Sequence, residues 1–172
     1  MSFGRLLAPA LLALGAACAT PAAAPPGELP IYHVVRHLHT PEGERDPDLT
    51  AEGHRQAVLL ADRLAEAPPA VIYVSTYKRT VQTAAPTAAR LDLIPIVYDP
   101  RDTPALVARV RAGPTPALVV GHSNTVPDII EQLGGTRPEP LVHEDFGDLW
   151  SIRSDGTTER SRIDGEAAGA RD

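Results

Sequence analysis

The sequence predicts an α/β fold: a mostly parallel sheet with helices on both faces. Three observations carry that expectation. Short runs rich in β-branched residues recur along the chain: IYHVVR at 31–36, VIYVS at 71–75, IPIVYD at 94–99 and ALVV at 117–120. Stretches with helical spacing of apolar residues separate them, and such alternation builds parallel sheets because a parallel connection needs a crossover of helix length. ALVV is apolar throughout, the pattern of a strand buried on both faces. The chain has 172 residues, 43% hydrophobic and 22% charged, which suffices for one domain with a core of its own.

The N-terminal segment stands apart. MSFGRLLAPALLALGAACATPAAAPP carries a single Arg5, an apolar stretch from Leu6 to Ala17 and then small residues, the layout of an export signal. Residues 1–17 are therefore expected to direct the protein out of the cytoplasm. Ala17-Cys18-Ala19 fits ordinary cleavage. Leu14 to Cys18 resembles a bacterial lipobox with Leu14 one place too far from the cysteine, which would make Cys18 a lipidation site. Both readings stay open, giving a periplasmic or a lipid-anchored envelope protein. Residues 18–30 are Pro/Ala-rich and read as a linker, 31–165 as the domain, and 166–172 as a disordered tail of small and charged residues.

Within the domain, IYHVVR opens as a strand and PEGERDPD at 41–48 follows as a charged loop. Thr50 is placed to cap a helix running to about Ala67, with Val58, Ala61, Leu64 and Ala65 on one side, before Pro68-Pro69 ends it. After VIYVS, Thr80 to Leu91 reads as a helix that Pro86 should kink or interrupt. After IPIVYD, Thr103-Pro104 forms a cap and first-turn pair, Leu106, Val107 and Val110 keep helical spacing, and Gly113-Pro114 stops the helix. After ALVV, Pro127 to Leu133 is a short helix closed by Gly134-Gly135. LWSIRSDGTTERSRI alternates on either side of Asp155-Gly156 and predicts a hairpin.

The formal net charge of −6 argues against nucleic acid as a partner, since phosphate backbones require a basic face. A local cluster of Arg and His can still hold a small phosphate ester. The single cysteine excludes an internal disulfide, and the sequence carries no P-loop or Gly-rich nucleotide motif. No apolar run reaches the length of a stable membrane span.

Three strand ends carry the chemistry. Arg36-His37 follows the first strand, Ser75 to Arg79 the second, and Gly121-His122-Ser123-Asn124 follows ALVV. Ligands of open α/β sheets sit outside the carboxyl ends of the strands, so these two arginines and two histidines are expected to converge. Guanidinium forks match a phosphate or carboxylate, and helix starts after His122 and after Arg79 are expected to add N–H donors. Histidine can attack phosphorus and form a covalent phosphohistidine while the cations stabilise the equatorial oxygens.

Arg36-His37, LTAEGHRQA at 49–57, STYKRTVQTA at 75–84 and GHSN at 121–124 resemble, in order, motifs of the histidine phosphatase superfamily, the phosphoglycerate-mutase-like group. The resemblance covers most of residues 31 to 135. It implies a three-layer α/β/α fold and a nucleophilic His37, with Arg36, Arg79 and His122 completing a phosphate pocket. It also implies a metal-independent reaction without a cofactor. The sequence departs from the pattern in places. Leu38 replaces the glycine common after the RH pair, and Thr40 is placed to supply a small hydroxyl to the phosphate. No residue stands clearly as general acid. Ser123 occupies the place of an aspartate found in some members, and the chain from Asp99 to Thr115 is too short for a large insertion. Glu42, Glu44, Asp99 and Asp102 stay open, and an open cleft is expected.

The expected activity is hydrolysis of a phosphomonoester or a phosphohistidine, on a small molecule or a phosphorylated envelope component, by a monomer. The alternative is a catalytically weak module that binds phosphorylated ligands. Other residues have readings of their own. Asn124 is placed to cap the following helix. His33, His37 and His39 share a strand face and offer an alternative metal site. His54 falls on a helix and is expected to be solvated or half-buried, and His143, in HEDFGD, is expected on the surface. Tyr32, Tyr77 and Lys78 either rim the cleft or belong to ordinary surface, and Trp150 is expected in the core.

Overall fold

The computed structural model describes residues 30–164. The export signal, nearly all of the linker with Cys18, and the tail lie outside them. The elements run β1 (Ile31–Arg36), α1 (Ala51–Arg63), β2 (Val71–Ser75), α2 (Lys78–Leu91), β3 (Ile96–Tyr98), α3 (Thr103–Ala112), β4 (Ala117–Gly121), α4 (Val126–Gln132), β5 (Asp148–Arg153) and β6 (Thr158–Arg162). One six-stranded sheet has the order β3-β2-β4-β1-β5-β6. The first four of these strands are parallel, and the β5–β6 hairpin adds antiparallel beside β1.

Alternation along the strands feeds two cores. Val34, Tyr73, Val119 and Ile152 pack with Leu106, Val107 and Val110 of α3 and Ile129 and Ile130 of α4 on one face. Val35, Ile72, Leu118 and Val120 pack with Ala57 and Leu60 of α1 and Ala84 and Ala88 of α2 on the other. β4 lies between β2 and β1 and is buried along its whole length, as its unbroken apolar run requires. Trp150 lies in the first of these cores, as expected.

Several element edges differ from the sequence expectation. Helix α1 ends at Arg63, and its buried stripe is Gly53, Gln56, Ala57, Leu60 and Ala61. Val58 is 48% exposed and Ala65 faces solvent. The rotation follows from Gly53, where a Cβ would come within 2.5 Å of the His39 carbonyl oxygen; only this face of the helix can approach the chain after β1 so closely. Thr50 caps the helix as expected, its side chain accepting from Gly53 N.

Helix α2 starts at Lys78, ahead of Thr80, and continues through Pro86. Thr83, Ala84, Thr87 and Ala88 bury one face on both sides of the proline, and this packing holds the helical path despite the lost N–H donor. β3 begins two residues late because Ile94 points into solvent, 91% exposed. The cap of α3 is Asp102, which accepts from Ala105 N, rather than Thr103. Gly134, with φ +97°, closes α4 while Gly135 N donates to Ile130 O at 2.9 Å. The hairpin turns at Gly156, φ +90°.

Two substitutions separate the observed face of α1 and the sheet centre from the alternatives. Leu118→Ala, at a fully buried position of β4, is expected to lower unfolding free energy by about 2–5 kcal/mol. Val58→Ala is expected to change it by less than about 0.5 kcal/mol. Urea denaturation checks both, and a large cost at Val58 would contradict the helix orientation.

Candidate active site

The parallel register of β1 and β4 builds the site. Arg36 lies opposite Gly121, and His37 N donates to Gly121 O at 2.9 Å. Both strands therefore end together and release His37 and His122 side by side, with ring centroids 5.5 Å apart. β2 flanks β4 on the other side and brings Ser75 to the same edge. Leu38, where a glycine was the common choice, buries its side chain completely in the core beneath α1 and α2, and its N–H donates to Thr83 Oγ1 at 3.0 Å. The chain after His37 is thus pinned at a side chain and at its backbone.

His37 is 6% exposed, and its Nδ1–H donates to Leu38 O at 2.9 Å. That hydrogen bond assigns the proton to Nδ1 and leaves the lone pair on Nε2. Burial pushes the pKa of His37 down to about 3, the Leu38 carbonyl opposes this, and the charges of Arg36, His122 and Arg79 push further down. The imidazole is therefore neutral at neutral pH, the state a nucleophile needs.

His122 pairs through Nε2 with Ser75 Oγ at 2.9 Å, and Ser75 Oγ lies 3.0 Å from Thr80 Oγ1. Its Nδ1 is buried without a partner. Burial, then Arg79 and Arg36, pushes its pKa down to about 4, with Asp46 acting the other way. Tyr77 stands edge-on to His122 with centroids 5.3 Å apart, and the Arg79 guanidinium lies 4.3 Å from the Tyr77 ring centre. Arg79 also lies 3.7 Å from Asp46 Oδ1.

Arg36 is 5% exposed and is held by a loop that carries no recognisable motif. Its Nη1 donates to Val142 O at 2.6 Å and to His143 O at 3.1 Å, and the guanidinium lies 4.1 Å from the Phe146 ring centre. Its Nε is buried without a partner. Phe146 also touches His37, His39 and His143. An open cavity of about 400 Å³ stands in front of this group, with Arg36, His37, Thr40, Glu42, Arg79 and His143 among its lining residues. Two orphaned buried nitrogens beside cationic forks match an oxyanion that accepts from several donors.

The structure thus brings together Arg36, His37, Arg79 and His122, and it puts Thr40, Glu42 and Glu44 on the cavity wall. Other expectations are corrected. Thr125 N and Val126 N both donate to His122 O, so these two amides are not available to an anion. The first N–H of α2, that of Lys78, goes to Asp46 Oδ1. Thr125, not Asn124, serves the chain after β4: its Oγ1 accepts from His122 N at 3.0 Å, and Asn124 is exposed. Asp99 is gripped by Arg101 at 2.7 and 2.9 Å, and that pairing pulls its pKa down to about 2. Asp102 is committed to capping α3.

His33 bonds Ser151 Oγ within the sheet, away from His37, and His39 packs on Phe146 with centroids 4.4 Å apart. Among the described residues no group of three or more His, Cys, Asp or Glu is arranged to hold a metal ion. Tyr32 belongs to the core, His54 is exposed, and Lys78 reaches Asp48 at 3.5 Å rather than the cavity. His143, expected on the open surface, stands at the cavity rim. Phe146 and the carbonyls at 142 and 143 carry no local signal of their role, because Arg36 is more than 100 positions away in sequence. Ser75 opens the STYKRTVQTA motif, and its pairing with His122 follows only from the order of β2 and β4.

Three buried histidines give the fold an acid weakness. Burial pushes His33 down to about 4, alongside about 3 for His37 and about 4 for His122. Below pH 6.5 the unfolded chain binds protons that the folded chain refuses, so stability rises with pH through the window from about 4 to 6.5 and falls as pH drops through it. Each such proton contributes a slope of about 1.4 kcal/mol per pH unit. Urea titrations between pH 4.5 and 6 should therefore show a steep slope, and His33→Gln should flatten it by about one proton. A flat profile in the parent chain would refute the neutral state of these rings.

Residues 33–101 match the family model described as the histidine phosphatase superfamily (branch 1). No curated protein matches the chain. Among solved structures, SixA from Agrobacterium tumefaciens aligns with a TM-score of 0.56 at 20% identity, over 73% of this chain and 92% of that one. A protein histidine phosphatase SixA complexed with tungstate aligns with a TM-score of 0.57 at 18% identity, over 76% and 93%. A mycobacterial glucosyl-3-phosphoglycerate phosphatase aligns with a TM-score of 0.58 at 14% identity, over 81% of this chain and all of that one. At these identities the likeness is one of fold, and it covers a larger share of the chain than residues 33–101. Residues 33–101 carry the pattern of the histidine phosphatase superfamily, and the described residues as a whole have the fold of its solved phosphatases.

Proposed function

We propose that the chain is a metal-independent phosphatase that works through a covalent phosphohistidine on His37. The observation that carries this reading is the His37 Nδ1–H donated to Leu38 O, which leaves a neutral ring with its Nε2 lone pair free among three cationic or donor side chains. Arg36 and Arg79 hold the phosphoryl oxygens, and His122 contributes its unpartnered Nδ1 as a hydrogen-bond donor. His37 Nε2 attacks phosphorus as the bond to the leaving group breaks. Water then attacks the phosphohistidine, the N–P bond breaks, its electron pair returns to His37, and inorganic phosphate departs.

A phosphomonoester or a phosphohistidine suits this chemistry, in line with the substrates named for the structural neighbours. Phosphoryl transfer between hydroxyls of a sugar acid suits it less, because an exported protein would not meet glycolytic intermediates and the cavity is open. We place the domain outside the cytoplasm, at the bacterial envelope, on the strength of residues 1–17 and with Cys18 as the anchor point if it is lipidated. The second reading, a weak enzyme that mainly binds phosphorylated ligands, draws on the engagement of Asp99 by Arg101 and of Asp102 by α3.

Hydrolysis of 4-nitrophenyl phosphate by the purified chain, with and without chelator, tests the proposal. Turnover should be sensitive to vanadate, indifferent to chelator and reduced at least about 10³-fold by His37→Ala, with loss of an acid-labile phosphoryl-enzyme. Tight vanadate binding without turnover would favour the binding reading. Turnover that survives His37→Ala would remove His37 as nucleophile. Arg79→Gln should weaken phosphate or vanadate binding by about 2–4 kcal/mol, since it takes one charged partner from a buried anion.

A further inference from the structure

We infer that His143, paired with Glu42 across the cavity mouth, is the proton donor to the leaving group; this rests on the phosphatase reading above. Phosphoryl transfer to His37 leaves an oxygen with an electron pair, and an alkoxide leaves slowly unless a proton meets it. Of the carboxylates first considered for the task, Asp99 and Asp102 are engaged elsewhere, and Glu44 is an exposed residue of the cavity wall. Asp99 is bound by Arg101, and Asp102 accepts the helix N–H of Ala105. Glu42 has a side chain 74% exposed, with its head turned to His143.

His143 lines the same cavity as the nucleophile. Its own carbonyl accepts from Arg36 Nη1 at 3.1 Å, so its backbone is tied to the arginine beside the nucleophile. Its ring stands edge-on to Phe146 with centroids 5.5 Å apart, and the same Phe146 ring lies 5.8 Å from His37. His143 and His37 thus flank one aromatic ring and line one cavity. His143 Nε2 lies 3.5 Å from Glu42 Oε1, so that nitrogen faces the carboxylate, and the Nδ1–H is the one assigned to the leaving oxygen. The side chain is 39% exposed, so bulk water can restore its proton.

The step balances. His37 Nε2 forms the N–P bond, the P–O bond to the leaving group breaks, and the leaving oxygen takes the proton from His143. In the second half, water attacks phosphorus, passes its proton to the now neutral His143, and the N–P bond breaks with its electron pair returning to His37.

The test compares an alkyl phosphate, glycerol 2-phosphate, with 4-nitrophenyl phosphate, whose leaving group needs little help. His143→Gln should lower turnover of the alkyl ester about 10²-fold more than turnover of the aryl ester. Glu42→Gln should shift the same ratio in the same direction by a smaller factor. An equal loss on both esters would mean a structural role and would overturn the assignment, as would no loss on either. A parent chain that hydrolyses only the aryl ester would also overturn it while leaving the phosphatase reading intact. A parent chain that hydrolyses neither would end both.

Discussion

The hydrogen bond from His37 N to Gly121 O, together with the register that puts Arg36 opposite Gly121, is the constraint on which the site depends. Two strands more than 80 positions apart in sequence must stop at the same level, or the two histidines would not meet. The hydrophobic pattern enforces that level. A slip of one residue would turn Val34 and Val119 to the wrong cores, together with every neighbour along the strands. The geometry of the site is in this sense a by-product of how the sheet packs.

The same burial shapes the electrostatics. His37 and His122 stand among Arg36 and Arg79 with little solvent, which favours the neutral form of both rings. Hydrogen bonds then choose the protonated nitrogen: the Leu38 carbonyl holds Nδ1–H of His37, while Ser75 occupies Nε2 of His122. Buried nitrogens of Arg36 and His122 have no partner within the described residues, and an anion in the cavity would supply one. Neutral rings beside cationic forks also make the domain sensitive to acid.

A second support comes from the chain between α4 and β5. Its carbonyls at 142 and 143 hold the Arg36 fork from behind, and Phe146 lies against Arg36, His37, His39 and His143. This loop is placed by the β5–β6 hairpin, which pairs antiparallel with β1 on the side away from β4. The hairpin therefore does more than extend the sheet. It carries the aromatic floor of the site and delivers His143 opposite Glu42.

By itself the sequence determined the strands, the layering and the four residues at the strand ends. Those depend on hydrophobic period, caps and short motifs, all local. Even Thr50 as a cap and the Asp155-Gly156 turn could be read locally. Only the tertiary structure decided the rest. It set the face of α1 through the close approach of Gly53 to His39 O, carried α2 through Pro86 by packing on both flanks, and spent the amides at the start of α4 on His122 O. It also brought the loop at 142–146 onto Arg36. These outcomes turn on contacts between distant segments, where burial and steric fit outweigh local preference, and no short stretch of sequence contains both partners.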